Sequence, residues 1–299
     1  MVTPLAQIEK YPGKCKNLLG ISYEQFSVLV QQAQKQHKLK QEEIEQKKIR
    51  LNRKGAGRKP SLSVKAEVCL CLFYLRQLPT FEVLGMNFNV SKSTANNIFN
   101  YWLEILEELL PSSLLEEVKK NEVEWEVVQE LLTEYEVIVD SYEQSRERPG
   151  EYDQQKKYYS GKKKNHTFKN HLSVLECGKD IVDVSNGNRG PESDVEIYRQ
   201  NLSKFDSHQS FVGDKAYQGG ERMTSPQKKP KNRELTSEQK HDNKLLSQKR
   251  IFVEHVIRLI KIFRVATERF RLCTRKYQRV INTVCGLVRL RIGTLIFSV

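Results

Sequence analysis

The stretch that decides the fold is Glu134–Glu143, EYEVIVDSYE, in which a run of β-branched residues ends at Asp140. Such residues favour a buried strand. Two further strand candidates follow, at 166–178 (HTFKNHLSVLECG) and at 179–188 (KDIVDVSNGN), where Gly178 separates them. Together these segments predict a meander of three strands joined by short turns.

The chain after the predicted meander alternates between helix and strand patterns. Residues 195–205, VEIYRQNLSKF, predict a helix, and residues 208–214, HQSFVGD, predict a fourth strand that ends at Asp214. A long helix is then expected from about Leu235 or Asn243 through Arg264. Three strands, a helix, a strand and a helix in this order predict a mixed α/β layer.

Three acids stand at informative places in this pattern. Asp140 and Asp214 each end a predicted strand, and Glu254 lies on the long predicted helix. Ligands of α/β sheets bind at the carboxyl ends of strands. One acid at such a place usually caps a turn, whereas two strand-end acids and a helical one suit a site for two metal ions.

The residue types suggest phosphodiester chemistry. Cutting or joining a phosphodiester places charge on an attacking and a leaving oxygen, and two metal ions about 3.5–4 Å apart can stabilise both. Mg²⁺ prefers hard carboxylate oxygens. We expect Asp140 to bridge both ions, Asp214 to complete one and Glu254 the other. His166 and His171 lie on a predicted strand and are interpreted as packing or hydrogen-bonding residues outside the metal site.

Four motifs carry a resemblance to a known family. Residues 250–261, RIFVEHVIRLIK, are similar to the R-x3-E-x6-K signature of bacterial insertion-sequence DDE transposases of the fourth- and fifth-type groups. VIVDSYEQSRERP (137–149) resembles their first-Asp motif, YYSGKKKNHTFKNHLSV (158–174) the stretch after it, and GDKAYQG (213–219) their second-Asp motif. The motifs occur in the family's order across most of the chain.

The resemblance implies a ribonuclease-H-like mixed-sheet catalytic domain, preceded by an all-α helix-turn-helix domain. It implies a catalytic and metal-binding triad of Asp140, Asp214 and Glu254, with Mg²⁺ or Mn²⁺ as two ions. It also implies DNA cleavage at the ends of an element and strand transfer into a target. Arg250 and Lys261 match the basic members of the last signature.

A helix-turn-helix is predicted before the catalytic region. Ser61 or Ser63 opens a periodic helix from Leu62 to Leu75, Thr80 can cap the short segment FEVLGMNF, and Ser91 can cap a third helix. Four residues near the start of that third helix are expected to reach DNA: Lys92, Thr94, Asn96 and Asn97. An ordinary three-helix packing unit is the alternative.

Basic residues elsewhere suggest further DNA contacts. The glycines and the proline of the segment RKGAGRKPSLS (53–63) predict a flexible arm. This arm either lies on DNA or is a solvated linker. Its predicted DNA-binding residues are Arg53, Lys54, Arg58 and Lys59. Near Asp140 we expect the same role for Lys162, Lys163 and Lys164, with a solvated hairpin as the alternative. Arg258 and Lys261 share a helix face with Glu254, and there the alternative is surface pairing.

The overall composition gives expectations about the partner, the location and zinc binding. Fifty Lys and Arg against 37 Asp and Glu give a net charge of +13, which suits a nucleic-acid partner. No apolar run is long enough for a membrane span, so we expect a cytoplasmic, nucleoid-associated bacterial protein. The six cysteines have no zinc-site spacing. The expected partner is double-stranded DNA, both element ends and target, and bringing two ends together motivates the hypothesis of a homodimer.

The predicted division of the chain has five parts. They are a helical segment (1–45), the basic arm and helix-turn-helix domain (46–110), an acidic helical linker (111–132), the catalytic domain (133–273) and a basic, apolar tail (274–299). The sequence is also compatible with two other functions. One is a catalytically inactive or domesticated DNA-binding derivative, and the other is a hydrolytic endonuclease without strand transfer.

Overall fold

A computed structural model describes residues 2–47, 60–120, 125–231, 233–295 and 297. The predicted DNA-binding residues of the basic arm, namely Arg53, Lys54, Arg58 and Lys59, lie outside these described residues.

The first part of the chain is helical. Its helices are α1 (Pro4–Lys10), α2 (Cys15–Leu19), α3 (Tyr23–Lys47), α4 (Val64–Gln77), α5 (Phe81–Phe88), α6 (Lys92–Leu109), α7 (Leu114–Lys120) and α8 (Trp125–Leu132). Ser63, Thr80 and Ser91 cap α4, α5 and α6, each accepting a hydrogen bond from the backbone N–H three residues later. These short polar side chains satisfy N–H groups that a helix start leaves unpaired, as predicted.

Helices α4, α5 and α6 share one aromatic core. The ring centroid of Tyr74 on α4 lies 4.8 Å from that of Phe81 on α5 and 4.3 Å from that of Phe99 on α6. A Cβ atom at Gly85 would lie 2.5 Å from the carbonyl oxygen of Val90, so a glycine is needed where α5 meets the turn before α6. This tight turn fixes α6 against α5.

A mixed six-stranded sheet follows. Its strands are β1 (Val137–Ser145), β2 (Tyr159–Ser160), β3 (Asn165–Leu175), β4 (Ile181–Arg189), β5 (Phe211–Val212) and β6 (Met223–Thr224). The order is β2-β3-β1-β5-β6, with β4 also paired to β3. Strand β3 runs antiparallel to β1 and β4, whereas β5 runs parallel to β1. This sheet confirms the predicted α/β class and its ribonuclease-H-like arrangement.

The link between β1 and β3 differs from the predicted short turn. It contains a helix, α9 (Tyr152–Tyr158), as well as the short strand β2. The three later helices are α10 (Asp194–Asn201), α11 (Ser237–Lys261) and α12 (Tyr277–Ile292). Among the described residues, no helix is both long enough and apolar enough to cross a bilayer.

The two faces of β1 belong to different hydrophobic clusters. Ile138 packs into the larger cluster, which joins one face of the sheet to α11, α12 and the N-terminal helices. Val137 and Val139 point the other way, into a smaller cluster with Tyr198 and Phe211. Because β1 is covered on both sides, it holds Asp140 at a fixed place in the sheet.

Helix α12 lies inside the molecule. Arg289 on this helix is 1% exposed, and its guanidinium donates to Asp180 at 2.7 and 2.8 Å, to Glu117 at 2.6 Å and to the carbonyl of Pro111 at 3.1 Å. These partners lie in the acidic helical region and in the β3–β4 turn. Residues of the predicted tail thus connect other parts of the chain, and the five-part division stays a prediction.

Candidate active site

Asp140 lies in the middle of β1, where its backbone pairs with Leu172 of β3. Its side chain is 19% exposed, and its Oδ1 accepts a hydrogen bond of 2.8 Å from the N–H of Ser141. The pKa of Asp140 is raised to about 6, mainly because its side chain is buried and to a smaller extent because the charges of Asp214 and Glu254 are near. The Ser141 N–H and the charge of Arg250 act in the opposite direction on this pKa.

Asp214 follows β5, the strand that runs parallel to β1. It caps a 3-10 helix over Lys215–Tyr217, because its Oδ1 accepts a hydrogen bond of 2.7 Å from the N–H of Ala216. Parallel pairing brings the carboxyl ends of β1 and β5 to the same side of the sheet. The sequence pattern predicted that both aspartates end a strand. Asp214 does follow β5, but the prediction is wrong for Asp140, because β1 pairs with β3 as far as Ser145 and continues past Asp140.

Glu254 lies on α11, which packs across β1. One helical turn earlier, Arg250 places its Nη2 3.9 Å from Oε1 of Glu254 and 3.8 Å from Oδ2 of Asp140. The Arg250 side chain is 16% exposed, whereas Glu254 is 58% exposed. The guanidinium therefore stands between an acid of the sheet and an acid of the helix.

The donor set fits a divalent metal ion by its chemistry. Asp140, Asp214 and Glu254 offer the hard oxygen ligands that Mg²⁺ prefers. The pKa of Asp140 is raised mainly by burial and in smaller part by the charges of Asp214 and Glu254, and a bound cation would offset both effects. Within the described residues, no group of three or more Asp, Glu, His or Cys side chains is already drawn together at metal-ligand spacing. The three acids meet in one region without being gathered around one point.

A fourth acid near the site, Asp194, was missed by the sequence interpretation. It begins α10, and its Oδ1 accepts a hydrogen bond of 2.5 Å from the hydroxyl of Ser141, the residue after Asp140. Lys169 of β3 lies 3.1 Å from the same oxygen and is 8% exposed. Ser193 before it caps α10, and this capping pattern in PESD was the one signal in the sequence. It marks a helix start and says nothing about β1.

His171 and Tyr217 form the floor between these acids. The ring centroids lie 5.6 Å apart, and both side chains are buried. Burial lowers the pKa of His171 to about 4, so its imidazole is neutral at pH 7. Burial raises the pKa of Tyr217, and the charges of Asp194, Asp140 and Asp214 add to that effect. His171 packs, as the sequence interpretation proposed.

Three of the predicted DNA-binding lysines converge beside Asp140. Lys162, Lys163 and Lys261 line a cavity of about 200 Å³ that Ser141, Glu143, Lys169 and Asp194 also border. The ammonium of Lys261 lies 5.2 Å from the ring centroid of Tyr142. Loss of solvent lowers the pKa of Lys261, and the charge of Lys163 lowers it further. Lys164 and Arg258 are exposed nearby but do not line this cavity.

The predicted recognition residues lie on another surface. Lys92 and Asn97 are exposed near the start of α6, whereas Thr94 and Asn96 are half-buried. Asn96 accepts a hydrogen bond of 3.2 Å from Asn100, whose own oxygen accepts one of 2.5 Å from Lys276. This chain of polar contacts links α6 to the segment that opens α12, and none of it reaches the acids of the sheet.

Comparison with known proteins gives a consistent result. Residues 139–289 match a family model described as DDE superfamily endonuclease, and residues 60–112 match one described as the helix-turn-helix of DDE superfamily endonuclease. The chain is 29% identical over 282 residues to a probable transposase for insertion sequence element IS702 of Microchaete diplosiphon, with 92% of each chain covered. No solved structure matches. The first model spans Asp140, Asp214 and Glu254, and the second spans α4, α5 and α6.

Proposed function

This chain belongs to the DDE superfamily endonucleases, and on that premise we propose that it cuts DNA at the ends of an insertion sequence and joins the cut ends to a target. The observation that carries the proposal is the meeting of Asp140, Asp214 and Glu254. Two of these acids come from neighbouring parallel strands and one from the helix across them. Burial is the main cause of the raised pKa of Asp140, and the charges of Asp214 and Glu254 add to it.

The three acids are proposed to hold the divalent ions on which this superfamily generally relies. Mg²⁺ or Mn²⁺, as two ions, fits the carboxylate ligands. Such ions supply charge stabilisation for the attacking and leaving oxygens of a phosphodiester. The protein's own part is to fix the ligands, since β1 is buried on both faces and Asp140 cannot leave the sheet.

Cations around the acids are proposed to orient the DNA backbone. Lys162, Lys163 and Lys261 border one cavity beside Asp140, and charge-assisted contacts to phosphate are strong where solvent is limited. Arg250 lies 3.8 and 3.9 Å from two of the acids, and their negative charges favour this position of its guanidinium beside the proposed DNA path. Lys164 and Arg258 extend the same positive surface outward.

The helix-turn-helix is proposed to recognise the element ends. Lys92 and Asn97 are exposed at the start of α6, the part of such a helix that enters the major groove. Thr94 and Asn96 lie beside them, and the basic arm would add Arg53, Lys54, Arg58 and Lys59. The five-part division and a homodimer that brings two ends together belong to the same proposal.

A plasmid assay tests the proposal. The full chain is incubated with Mg²⁺, a supercoiled target plasmid and labelled duplexes that carry the element ends. Wild-type protein is expected to give target plasmid joined to the labelled end. Asp140→Asn is expected to abolish cleavage while binding the duplex with unchanged affinity. Asp206→Asn serves as the control, because Asp206 is a half-buried acid in a separate loop, where its side chain bonds His208.

Each other result selects a different function. Metal-dependent nicking without joined products would indicate a hydrolytic endonuclease and overturn the strand-transfer step. Sequence-specific binding without any cleavage would indicate a catalytically inactive derivative. Cleavage that survives in Asp140→Asn would overturn the assignment of the three acids.

A further inference from the structure

A second cleft lies beyond the end of β1, between α9 and the β2–β3 hairpin. Its volume is about 380 Å³, and the residues that line it are Arg148, Tyr152, Gln155, Lys156, Tyr159 and His166. None of the three proposed catalytic acids belongs to it. It is open to solvent, within the 300–1,000 Å³ range of small-molecule sites, and it combines aromatic rings with positive charge.

Two tyrosines in this cleft are unusually accessible. Tyr152 is 79% exposed and Tyr159 is 47% exposed. The other two aromatic rings nearby pack against an arginine. The guanidinium of Arg146 lies 4.2 Å from the ring centroid of Tyr158 and 4.4 Å from that of Phe168. Tyr158 and Phe168 therefore build the base of the hairpin. Tyr152 and Tyr159 are the rings left facing solvent in the cleft.

The positive charge in the cleft is held in place. Arg148 donates a hydrogen bond of 2.8 Å to Oε1 of Gln155, and the amide nitrogen of Gln155 donates one of 2.9 Å to the carbonyl of Pro149. This chain of contacts fixes the guanidinium on the rim before any ligand binds. Lys156, on the exposed side of α9, adds a second cation.

His166 gives the cleft a neutral polar group. Its ring centroid lies 5.5 Å from that of Tyr159, in an edge-to-face arrangement. Partial burial lowers the pKa of His166, and the charges of Arg148 and Arg146 lower it further, so the ring is neutral at pH 7. A neutral imidazole offers one hydrogen-bond donor and one acceptor. These groups suit the polar edge of a nucleobase.

We propose that this cleft receives one unpaired base of the DNA strand being cut, stacked on Tyr152 and Tyr159, with the flanking phosphates on Arg148 and Lys156. The inference rests on the proposed function, because it assumes a DNA strand that runs along β1. Asp140 and Ser145 lie five residues apart on β1, which is roughly 17 Å. Because the cleft lies beyond Ser145, the base would lie several nucleotides from the cut.

Binding to single-stranded DNA without metal tests the cleft separately from catalysis. The full chain is titrated into a fluorescently labelled 12-nucleotide strand in EDTA, and anisotropy gives the Kd. Tyr152→Ala and Tyr159→Ala are each expected to weaken binding about tenfold, in line with base–aromatic stacking. Tyr152→Phe keeps the ring and is expected to bind like the wild type. Tyr135→Ala is the control, since Tyr135 is 42% exposed outside this cleft.

A strand of abasic sites separates stacking from charge. Wild-type protein is expected to bind the abasic strand about tenfold more weakly than the normal strand, whereas the alanine variants should not distinguish the two. Equal binding of both strands by the wild type would overturn the inference and leave a phosphate-binding surface only. Unchanged affinity in both alanine variants would overturn it as well.

The same samples distinguish this inference from the proposed function. Asp140→Asn is expected to bind the 12-nucleotide strand like the wild type, because the acid lies outside the cleft. If stacking is found but the plasmid assay gives no cleavage, the proposed function fails and the base-binding cleft stands. If cleavage is found and stacking is not, the cleft fails and the proposed function stands.

Discussion

Arg250 places its guanidinium 3.8 Å from the carboxylate of Asp140, and this contact joins α11 to β1 at the proposed active site. The same Nη2 lies 3.9 Å from Glu254. Both distances exceed a direct hydrogen bond, so the attraction is mainly between charges. Since Asp140 and Arg250 are 19% and 16% exposed, solvent screens this attraction only in part.

The first prediction concerns the titration of Asp140. Removing the charge in Arg250→Gln should raise the pKa of Asp140 above its value of about 6, because the guanidinium favours the charged carboxylate. The midpoint should move up by roughly one pH unit or more. NMR of the labelled Asp140 carboxyl in EDTA measures it. Arg250→Lys keeps the charge and is expected to titrate near the wild-type midpoint. An identical midpoint in Arg250→Gln would mean that the two groups do not interact.

A second prediction concerns stability and pH. The folded Asp140 has a pKa of about 6 against 3.8 in the unfolded chain, so the native state holds this proton more tightly. Its contribution to stability is present below about pH 4 and is lost as the pH rises through 6. Asp140→Asn removes this loss, and at pH 7.5 in EDTA it should raise the free energy of unfolding by up to about 3 kcal/mol.

Thermal or urea unfolding at several pH values checks this expectation. The stability advantage of Asp140→Asn should shrink as the pH falls from 7.5 towards 4. Asp153→Asn, an exposed acid on α9, should have no comparable effect. A variant that is less stable than the wild type at pH 7.5 would contradict the view that burial and repulsion destabilise this carboxylate.

The third prediction concerns Asp194 as a positioning residue. Its carboxylate accepts a hydrogen bond from the hydroxyl of Ser141 and forms an ion pair with the nearly buried Lys169. Asp194→Asn leaves that ammonium without its counter-ion, so we expect a loss of about 1–3 kcal/mol in stability. Supports behind metal ligands typically contribute 10–100-fold to metal affinity. Mn²⁺ affinity, measured by calorimetry, is expected to fall by this order while the Kd for duplex DNA stays unchanged.

A double variant separates positioning from simple destabilisation. Asp194→Asn combined with Lys169→Met removes both charges, so stability should recover towards the wild-type value. Mn²⁺ affinity should stay low, because the hydroxyl of Ser141 still lacks its anionic acceptor. If metal affinity recovers together with stability, Asp194 has only a structural role.

Asp140 and Asp194 differ in how far the sequence could predict them. Asp140 ends a run of β-branched residues, so an acid directly after a predicted strand could be recognised in the sequence. Asp194 lies in a polar stretch, and its importance comes from Ser141 and Lys169, which are 53 and 25 positions away in the chain. Local sequence patterns predict helix caps such as Ser63, Thr80 and Ser91. They do not predict contacts between residues that only tertiary packing brings together.

Arg289 gives the opposite case of a misleading local pattern. Residues 274–299 were predicted to form a basic, apolar tail, and Arg289 and Arg291 are two of its basic residues. Arg289 is nevertheless only 1% exposed. Asp180 and Glu117 neutralise it, and neither acid is near it in sequence. Helix α9 was missed for a related reason, because its seven residues, YDQQKKY, contain no apolar stripe and bury no side chain.

The fourth prediction concerns the exposed residues at the start of α6. Lys92→Ala should weaken binding to every DNA sequence alike and reduce the salt dependence of log K by about one, as for the loss of one phosphate contact. Asn97→Ala should weaken binding to the element ends by about 1–3 kcal/mol but leave binding to random duplex unchanged. Anisotropy at several salt concentrations measures both. Lys179→Ala, an exposed lysine in the β3–β4 turn, is the control.

A reversed pattern would remove α6 from the DNA interface. If Asn97→Ala lowers affinity for random duplex as much as for element ends, its side chain does not read bases. If Lys92→Ala matches Lys179→Ala in affinity and salt dependence, Lys92 makes no phosphate contact. The three-helix unit would then act in packing, as the alternative interpretation of this segment holds.

The last prediction concerns Gly286, where α12 crosses the end of α6. A Cβ atom at Gly286 would lie 2.4 Å from the carbonyl oxygen of Leu110 and 2.7 Å from its Cβ. Backbone cannot yield as a flexible side chain can, so Gly286→Ala should lower the free energy of unfolding by about 1–3 kcal/mol. Helix propensity acts in the other direction, since alanine in a helix interior is about 1 kcal/mol better than glycine. A decrease in the free energy of unfolding therefore indicates the close contact with Leu110, whereas an increase indicates that helix propensity dominates.

Urea unfolding provides the measurement, followed by far-UV circular dichroism and by the fluorescence of Trp102 in proteins whose second tryptophan, Trp125, is replaced by Phe. Trp102 is fully buried on α6, so its emission reports on the helical part, while circular dichroism reports on the whole chain. Both signals should shift together in Gly286→Ala, because the large hydrophobic cluster spans the helices and one face of the sheet. Gly150→Ala, with nothing within 4 Å of the added atom, should change stability little. A Gly286→Ala protein more stable than the wild type would show that α12 and α6 are not in backbone contact at this position.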